Sequence, residues 1–181
     1  MLKWLWLSAA VILLDQVSKT LASQLLEVYQ PVEFIPLLQF TLMYNKGAAF
    51  SFLSSAGGWQ RWLFTLLALF VSGVIVAWLR RLSAQERLQA AGLAFVLGGA
   101  LGNVIDRIVL GHVVDFLDFY YPAEQCLPLF SQVYTPVAQC HWPAFNIADS
   151  AIFIGVVLLI VDSIRSSMKR HSAVTQGDGH E

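Results

Sequence analysis

The chain has 181 residues, 57% of them hydrophobic and 13% charged, against about 25% charged in an ordinary soluble domain. With a mean hydropathy of +0.63, it has too little polar surface to close around a water-soluble core. This excludes a soluble enzyme and leaves an integral membrane protein. Eleven Lys and Arg against twelve Asp and Glu give a net charge of -1, so no polyanion-binding face is expected and nucleic acid is excluded as a partner.

A bilayer core about 30 Å thick needs roughly 20 apolar residues in a helix, and four stretches meet that length. The first spans about residues 4–26, from Trp4 to Leu26, and contains Asp15 and Lys19. Lys3 followed by the apolar run to Leu14 is also how a secretory signal peptide begins, but no A-x-A cleavage site follows, so an uncleaved helix is expected. The second stretch, residues 62–79, has no charge; the third, residues 88–107, is uncharged until Asp106 and Arg107. The fourth covers residues 143–162, with Asp149 inside it and Asp162 at its boundary.

Loop charge sets orientation. Lys3, Arg80, Arg81, Arg87, Arg165, Lys169 and Arg170 fall on one side, and Lys19, Lys46, Arg61 and Arg107 on the other. The excess predicts both termini in the cytoplasm, with the segments at about 27–61 and 108–142 facing outward. Their length and aromatic content suggest structure packed on the outer surface. Residues 171–181 are small and polar, and a disordered cytoplasmic tail is expected.

Ionisable groups inside a membrane segment cost at least a few kcal/mol each and therefore mark function by default. Here their depths agree. At 1.5 Å per residue, Asp149 lies about 20 Å above the cytoplasmic boundary and Asp15 about 18 Å, while the third helix delivers Asn103, Asp106 and Arg107 to the same outer zone. Asp15 with Lys19 and Asn103 with Arg107 are i, i+4 pairs that also serve as simple mutual satisfaction. Asn103 with Asp106 and Asn146 with Asp149 are i, i+3. Asp149 has no basic residue within a turn. The run from Gly111 to Asp118 reads as extended chain, and a strand turning back over the helix ends would bring either Asp115 or Asp118 opposite Asp149.

Two carboxylates facing each other in an apolar site do not both ionise; the ionised one takes a proton from water while the other polarises a carbonyl. That is peptide hydrolysis without metal or covalent intermediate, and no cofactor is expected. No His pair at helical spacing exists among His112, His141, His171 and His180, and two cysteines cannot make a four-ligand zinc site. A proton relay in a carrier uses buried acids as readily, although neither an internal repeat nor a broken midplane helix is visible. A serine and lysine dyad at Ser18 and Lys19 is disfavoured because helix neighbours point about 100° apart.

Taken in order, Asp15-Gln-x-Ser-Lys19, Asn45-x-Gly-Ala-Ala-Phe50, Gly98-Gly-Ala-Leu-Gly-Asn-x-x-Asp-Arg107, Val113-Val-Asp-Phe116 and Phe145-Asn-x-Ala-Asp149 resemble the signature blocks of the lipoprotein signal peptidases, or signal peptidase II. The resemblance implies an α-helical polytopic membrane protein, a four-helix bundle with a small periplasmic β-cradle, in the bacterial inner membrane. It implies an aspartyl endopeptidase that cuts a diacylglyceryl-modified prolipoprotein immediately before its lipidated cysteine, working among membrane lipids and as a monomer. It assigns Asp115 and Asp149 as the catalytic pair, choosing Asp115 over Asp118. Asp15, Asn103, Asp106, Arg107, Asn146 and Ala148 then surround the pair, Asn45 and Gly47 lie beside the substrate path, and Lys19 holds either Asp15 or the outer end of its helix rather than performing chemistry. Ala94, Gly98 and Gly102 form a small-residue stripe that either admits the signal peptide's helix or packs one of the chain's own helices.

One departure from the family pattern stands out. The two acids are 34 positions apart, a longer separation than the family pattern, with the excess between Tyr121 and Trp142. That excess contains both cysteines and faces an oxidising compartment on the topology above, so a Cys126–Cys140 disulfide is expected.

Overall fold

The computed structural model describes residues 1–47, 57–135 and 137–177. A 3-10 turn at Leu2–Trp4 leads into helix α1, Leu5–Leu25, followed by strands β1, Pro31–Ile35, and β2, Leu38–Asn45. Helices α2, Trp59–Arg81, and α3, Arg87–Val109, come next. Strands β3, Val113–Pro122, β4, Ser131–Thr135, and β5, Val137–His141, then lead to helix α4, Ile147–Gly177. All four helices are long and apolar enough to cross a membrane.

Helix α3 is the central one. Its buried residues run from Ala90 to Asp106, whereas α1, α2 and α4 expose Leu13, Leu66, Phe70 and Phe153 to what must be lipid. Glycines set how closely α3 is approached. A Cβ on Gly92 would stand 2.9 Å from the carbonyl oxygen of Gly155, and one on Gly98 would stand 2.7 Å from Val11 Cβ, so α4 and α1 both pack at backbone distance. Ser8 Oγ donates to the Ala94 carbonyl at 2.8 Å. The small-residue stripe is therefore filled by the chain's own helices. Ile75, Leu79, Leu93 and Leu97 close the seam between α2 and α3.

The five strands form one antiparallel sheet in the order β1-β2-β3-β5-β4. Val114 and Phe116 of β3 bury against Ala22 at the end of α1 and Leu42 of β2. The reversal from α3 into β3 passes through Gly111 at φ +83°, a left-handed backbone that a side chain would strain. Strand β3 is central, flanked by β2 at Asp115 and by β5 from Tyr120 onward.

The boundaries of α4 differ from the sequence reading at both ends. Helix α4 starts at Ile147 rather than near Pro143, because Phe145 exchanges backbone hydrogen bonds with Leu117 of β3. It runs on to Gly177, past the expected boundary at 162 and into the polar segment expected to be disordered; residues 178–181 lie outside the described residues, as do 48–50 of the Asn45–Phe50 motif.

Candidate active site

The site forms where the middle of α1, the end of α3 and the start of α4 meet the first residues of β3. Its framework is the start of α4. Asn146 occupies the cap position before Ile147: its Oδ1 accepts the Asp149 N–H at 2.9 Å, and its own N–H donates to Asp149 Oδ2 at 3.3 Å. This reciprocal pair is a capping box, and it explains the i, i+3 spacing physically. The next exposed donor of the same turn, the N–H of Ala148, is satisfied from another helix by Asp15 Oδ1 at 2.9 Å, a carboxylate at the positive end of the helix dipole.

Asn146 also reaches across to the sheet. Its Nδ2 donates to Asp115 Oδ1 at 2.7 Å and lies 3.3 Å from the Val114 carbonyl and 3.2 Å from Asn103 Oδ1. One residue thus bonds both carboxyl groups singled out from the sequence, Asp115 through its side-chain amide and Asp149 through its backbone N–H. Asp115 Oδ2 accepts from Asn45 Nδ2 at 3.1 Å, and Asp149 Oδ1 accepts from Asn103 Nδ2 at 2.8 Å. Burial, with the charge of Asp149 nearby, pushes the Asp115 carboxyl from its ordinary 3.8 up to about 7.

Below the pair lies a buried ionic cluster. Lys19 Nζ is 2.8 Å from Asp15 Oδ2, 2.9 Å from Asp106 Oδ2 and 2.9 Å from Asn103 Oδ1, and almost none of its side chain is exposed. Gln16 Nε2 ties the two acids together from the side, 2.9 Å from Asp106 Oδ1 and 3.2 Å from Asp15 Oδ2. Asp106 Oδ2 also accepts the Val114 N–H at 3.1 Å, fixing the strand that carries Asp115. A Cβ on Gly102 would stand 2.6 Å from Asp15 Oδ2; only glycine leaves room for the cluster. Arg107 bonds the carbonyls of Asn103 and Gly47, each at 3.3 Å, and its charge is felt by Asp149, Asp115 and Asp106. The turn that presents Gly47 is closed by Asn45 Oδ1, which accepts the Gly47 N–H at 2.9 Å.

The structure therefore brings together Asp15, Lys19, Asn45, Gly47, Asn103, Asp106, Arg107, Asp115, Asn146, Ala148 and Asp149. Asp118 is occupied elsewhere: it accepts from Gln39 Nε2 and Thr41 Oγ1, both at 2.8 Å, and lies 3.0 Å from His141 Nδ1. Ser18 Oγ donates to the Asp15 carbonyl of its own helix at 2.8 Å, while Lys19 points into the ionic cluster. Gln16, Gln39, Thr41 and His141 were not singled out by sequence reasoning. The neighbour relation of Gln16 to Asp15 was a signal for the first, but the others come from strand pairing that no local pattern reveals. Among the described residues no three His, Cys, Asp or Glu are grouped to hold a metal. Beyond the end of β3, Cys126 is joined by a disulfide to Cys140 of β5, next to a contact series in which Phe130 packs on Tyr121 and Trp142.

A family model described as signal peptidase (SPase) II matches residues 7–165. The chain is 48% identical to the lipoprotein signal peptidase of Alteromonas mediterranea over 169 residues, 93% of this chain and 84% of the relative. It is 46% identical to that of Aeromonas hydrophila over 170 residues, 93% and 92% of the two chains. With the lipoprotein signal peptidase of Pseudomonas paraeruginosa it shares 48% identity over 173 residues, 95% and 94% of the two. Two solved structures, both bacterial membrane enzymes obtained by the in meso method, are similar in fold. One has a TM-score of 0.74 at 26% identity, covering 92% of this chain and 90% of that one. The other has a TM-score of 0.69 at 27% identity, covering 89% and 92%.

Proposed function

The chain belongs to the signal peptidase II family, membrane peptidases that act on prolipoproteins, and we propose that it cleaves with the aspartate pair Asp115 and Asp149. The observation that carries this reading is Asn146, whose side chain bonds Asp115 and caps the turn holding Asp149. Two carboxyl groups from different elements, both bonded by Asn146, share a single proton. The ionised member takes a proton from a water as that water attacks the scissile carbonyl. The protonated member gives its proton to the carbonyl oxygen, producing a neutral gem-diol. Collapse of the gem-diol returns a proton to the leaving amine and restores the pair.

The surrounding residues act on position and charge. Asn45 donates to Asp115 Oδ2 and Asn103 to Asp149 Oδ1, which fixes the orientation of both carboxyls toward water and substrate. Lys19 and Arg107 offset the accumulated negative charge of four aspartates. The substrate is a prolipoprotein whose cysteine carries diacylglyceryl, cut on the amino side of that cysteine. Its acyl chains, each buried methylene contributing about 0.8 kcal/mol, hold the scissile bond at the membrane surface where the helix ends meet β3. The sheet would face the periplasm as a cradle on a four-helix bundle in the inner membrane, and the excess of Lys and Arg on one side supports both termini being cytoplasmic.

The test is cleavage of diacylglyceryl-modified prolipoprotein by purified protein, with Asp115→Asn and Asp149→Asn as variants. Each is expected to lose activity by a factor of about 10² to 10⁴. Undiminished activity in either variant removes that residue from the pair, and equal cleavage of an unlipidated precursor removes the substrate assignment.

A further inference from the structure

A second polar feature on the sheet side of the molecule takes no part in the hydrolysis. Lys46, Gln60, Arg61, Trp62 and Gly111 line a cavity of about 420 Å³ where the start of α2 meets the end of α3. Two of its lining residues are cations and none is an acid. Lys46 makes no ion pair among the described residues. The Arg61 guanidinium is held in place by Nη2 donating to the Ile108 carbonyl at 3.0 Å and by stacking 4.8 Å above the Trp62 ring. Its Nε is buried and has no hydrogen-bond partner among the described residues, an unmet donor of the kind that a ligand oxygen relieves.

Cavity and lipid-facing surface are continuous. Trp62 both lines the cavity and begins a stripe on α2 with Leu66 and Phe70, which are 55%, 64% and 71% exposed. Their spacing of four residues puts them on one helix face, running along α2 away from the cations. Trp59 lies beside them at 55% exposure, as expected of an indole at a membrane interface. A headgroup anion at Lys46 and Arg61 with acyl chains along Trp62, Leu66 and Phe70 satisfies both halves, whereas a free anion uses only the first. The diacylglyceryl group of the proposed substrate is neutral, so it leaves this pair of cations unused.

We propose that the cavity lined by Lys46 and Arg61 is a binding site for the phosphate of an anionic phospholipid in the leaflet on the sheet side, its acyl chains lying along α2. The site adjoins Asn45 and Gly47, so the bound lipid braces the segment that contacts Asp115 and Arg107.

The experiment is native mass spectrometry of the full chain exchanged from nanodiscs of phosphatidylcholine alone or mixed with phosphatidylglycerol. One phosphatidylglycerol is expected to be retained about tenfold more strongly than phosphatidylcholine. Lys46→Gln is expected to remove that preference without changing the thermal unfolding temperature, because Lys46 makes no ion pair among the described residues. Arg61→Gln is expected to do the same at some cost in stability. Arg80→Gln with Arg81→Gln, at the other end of α2, is expected to leave the preference intact. Equal retention of the two lipids, loss of the preference in the Arg80 and Arg81 variant alone, or an unchanged preference in Lys46→Gln overturns the proposal. Displacement of the lipid by inorganic phosphate at millimolar concentration overturns it in favour of a small-anion site. Cleavage assays on Asp115→Asn do not bear on it, so failure here and failure of the aspartate pair are told apart.

Discussion

Asp15 on the first helix accepts the backbone N–H of Ala148 on the fourth at 2.9 Å. The carboxylate thereby closes the first turn of the helix that presents Asp149 while also bonding Lys19. Removing it leaves Lys19 buried with one fewer counter-charge and exposes an unpaired donor. Asp15→Ala is expected to destabilise the protein by about 3–5 kcal/mol, the cost of breaking a buried pair. Chemical unfolding in detergent measures this; a loss below about 1 kcal/mol would show that Asp106 alone satisfies the lysine.

Asn146 contributes differently, because it caps α4 and holds Asp115. Asn146→Ala is expected to cost about 0.5–2 kcal/mol as a lost cap and to lower kcat by a factor of at least about 10², with a smaller effect on KM. Asn146→Asp keeps an acceptor for the Asp149 N–H but replaces the donor to Asp115 with a third carboxyl group. It is expected to retain the fold better than Asn146→Ala while staying equally inactive. Steady-state kinetics beside thermal unfolding separates the two effects.

These relationships bear on what the sequence could disclose. Helices are long periodic signals, and their apolar runs are legible to within a few residues even at α2. The buried acids are legible because an intramembrane charge is rare and its depth is a matter of counting 1.5 Å per residue. The choice between Asp115 and Asp118 was not legible from alternation: two positions three apart on a strand lie on opposite faces, and the deciding contacts come from Asn146 on one side and Gln39, Thr41 and His141 on the other. Those are long-range pairings that no local pattern encodes. Helix α4 starts late for the same reason, since the pairing of Phe145 with Leu117 competes with the helix for those residues.

The pH dependence follows from Asp115, raised from 3.8 to about 7 first by burial and then by the charge of Asp149. In the unfolded chain this carboxyl ionises near its ordinary value, so the folded state binds the extra proton between about pH 4 and 7. The stability it contributes is full below the unfolded value and is lost as pH rises through that window. Asp115→Asn is expected to flatten this decline, as read by unfolding midpoints measured from pH 4 to 8. The wild-type activity is expected to fall on both sides of an optimum, because the pair works with one proton and neither zero nor two.

Gly102 lies against the ionic cluster, where a Cβ would stand 2.6 Å from Asp15 Oδ2 and 3.4 Å from Ala148 Cβ. Gly102→Ala is expected to destabilise by about 1–3 kcal/mol through overpacking and to displace Asp15 from the start of α4. Gly73→Ala, in open space on α2, is the control and is expected to gain a few tenths of a kcal/mol to about 1 kcal/mol from helix propensity. Comparable losses in both variants would mean that the cluster tolerates the added methyl.

The Cys126–Cys140 bridge closes a loop whose reduction is expected to cost about 3 kcal/mol in the chain-entropy model. Unreduced protein is expected to show no free thiol, and Cys126→Ser with Cys140→Ser to unfold at a lower temperature while keeping the helices. Two reactive thiols in unreduced protein would remove the bridge.

The bridge also carries information about assembly order. It sits between the third and fourth membrane helices in the chain, and on the proposed topology its sulfurs meet an oxidising compartment only once the loop joining those helices has been translocated. Covalent closure is then a timestamp on biogenesis: a molecule whose last hairpin has stalled in the cytoplasm keeps two thiols. The oxidation state of Cys126 and Cys140 would count, molecule by molecule, how much of the population has completed insertion.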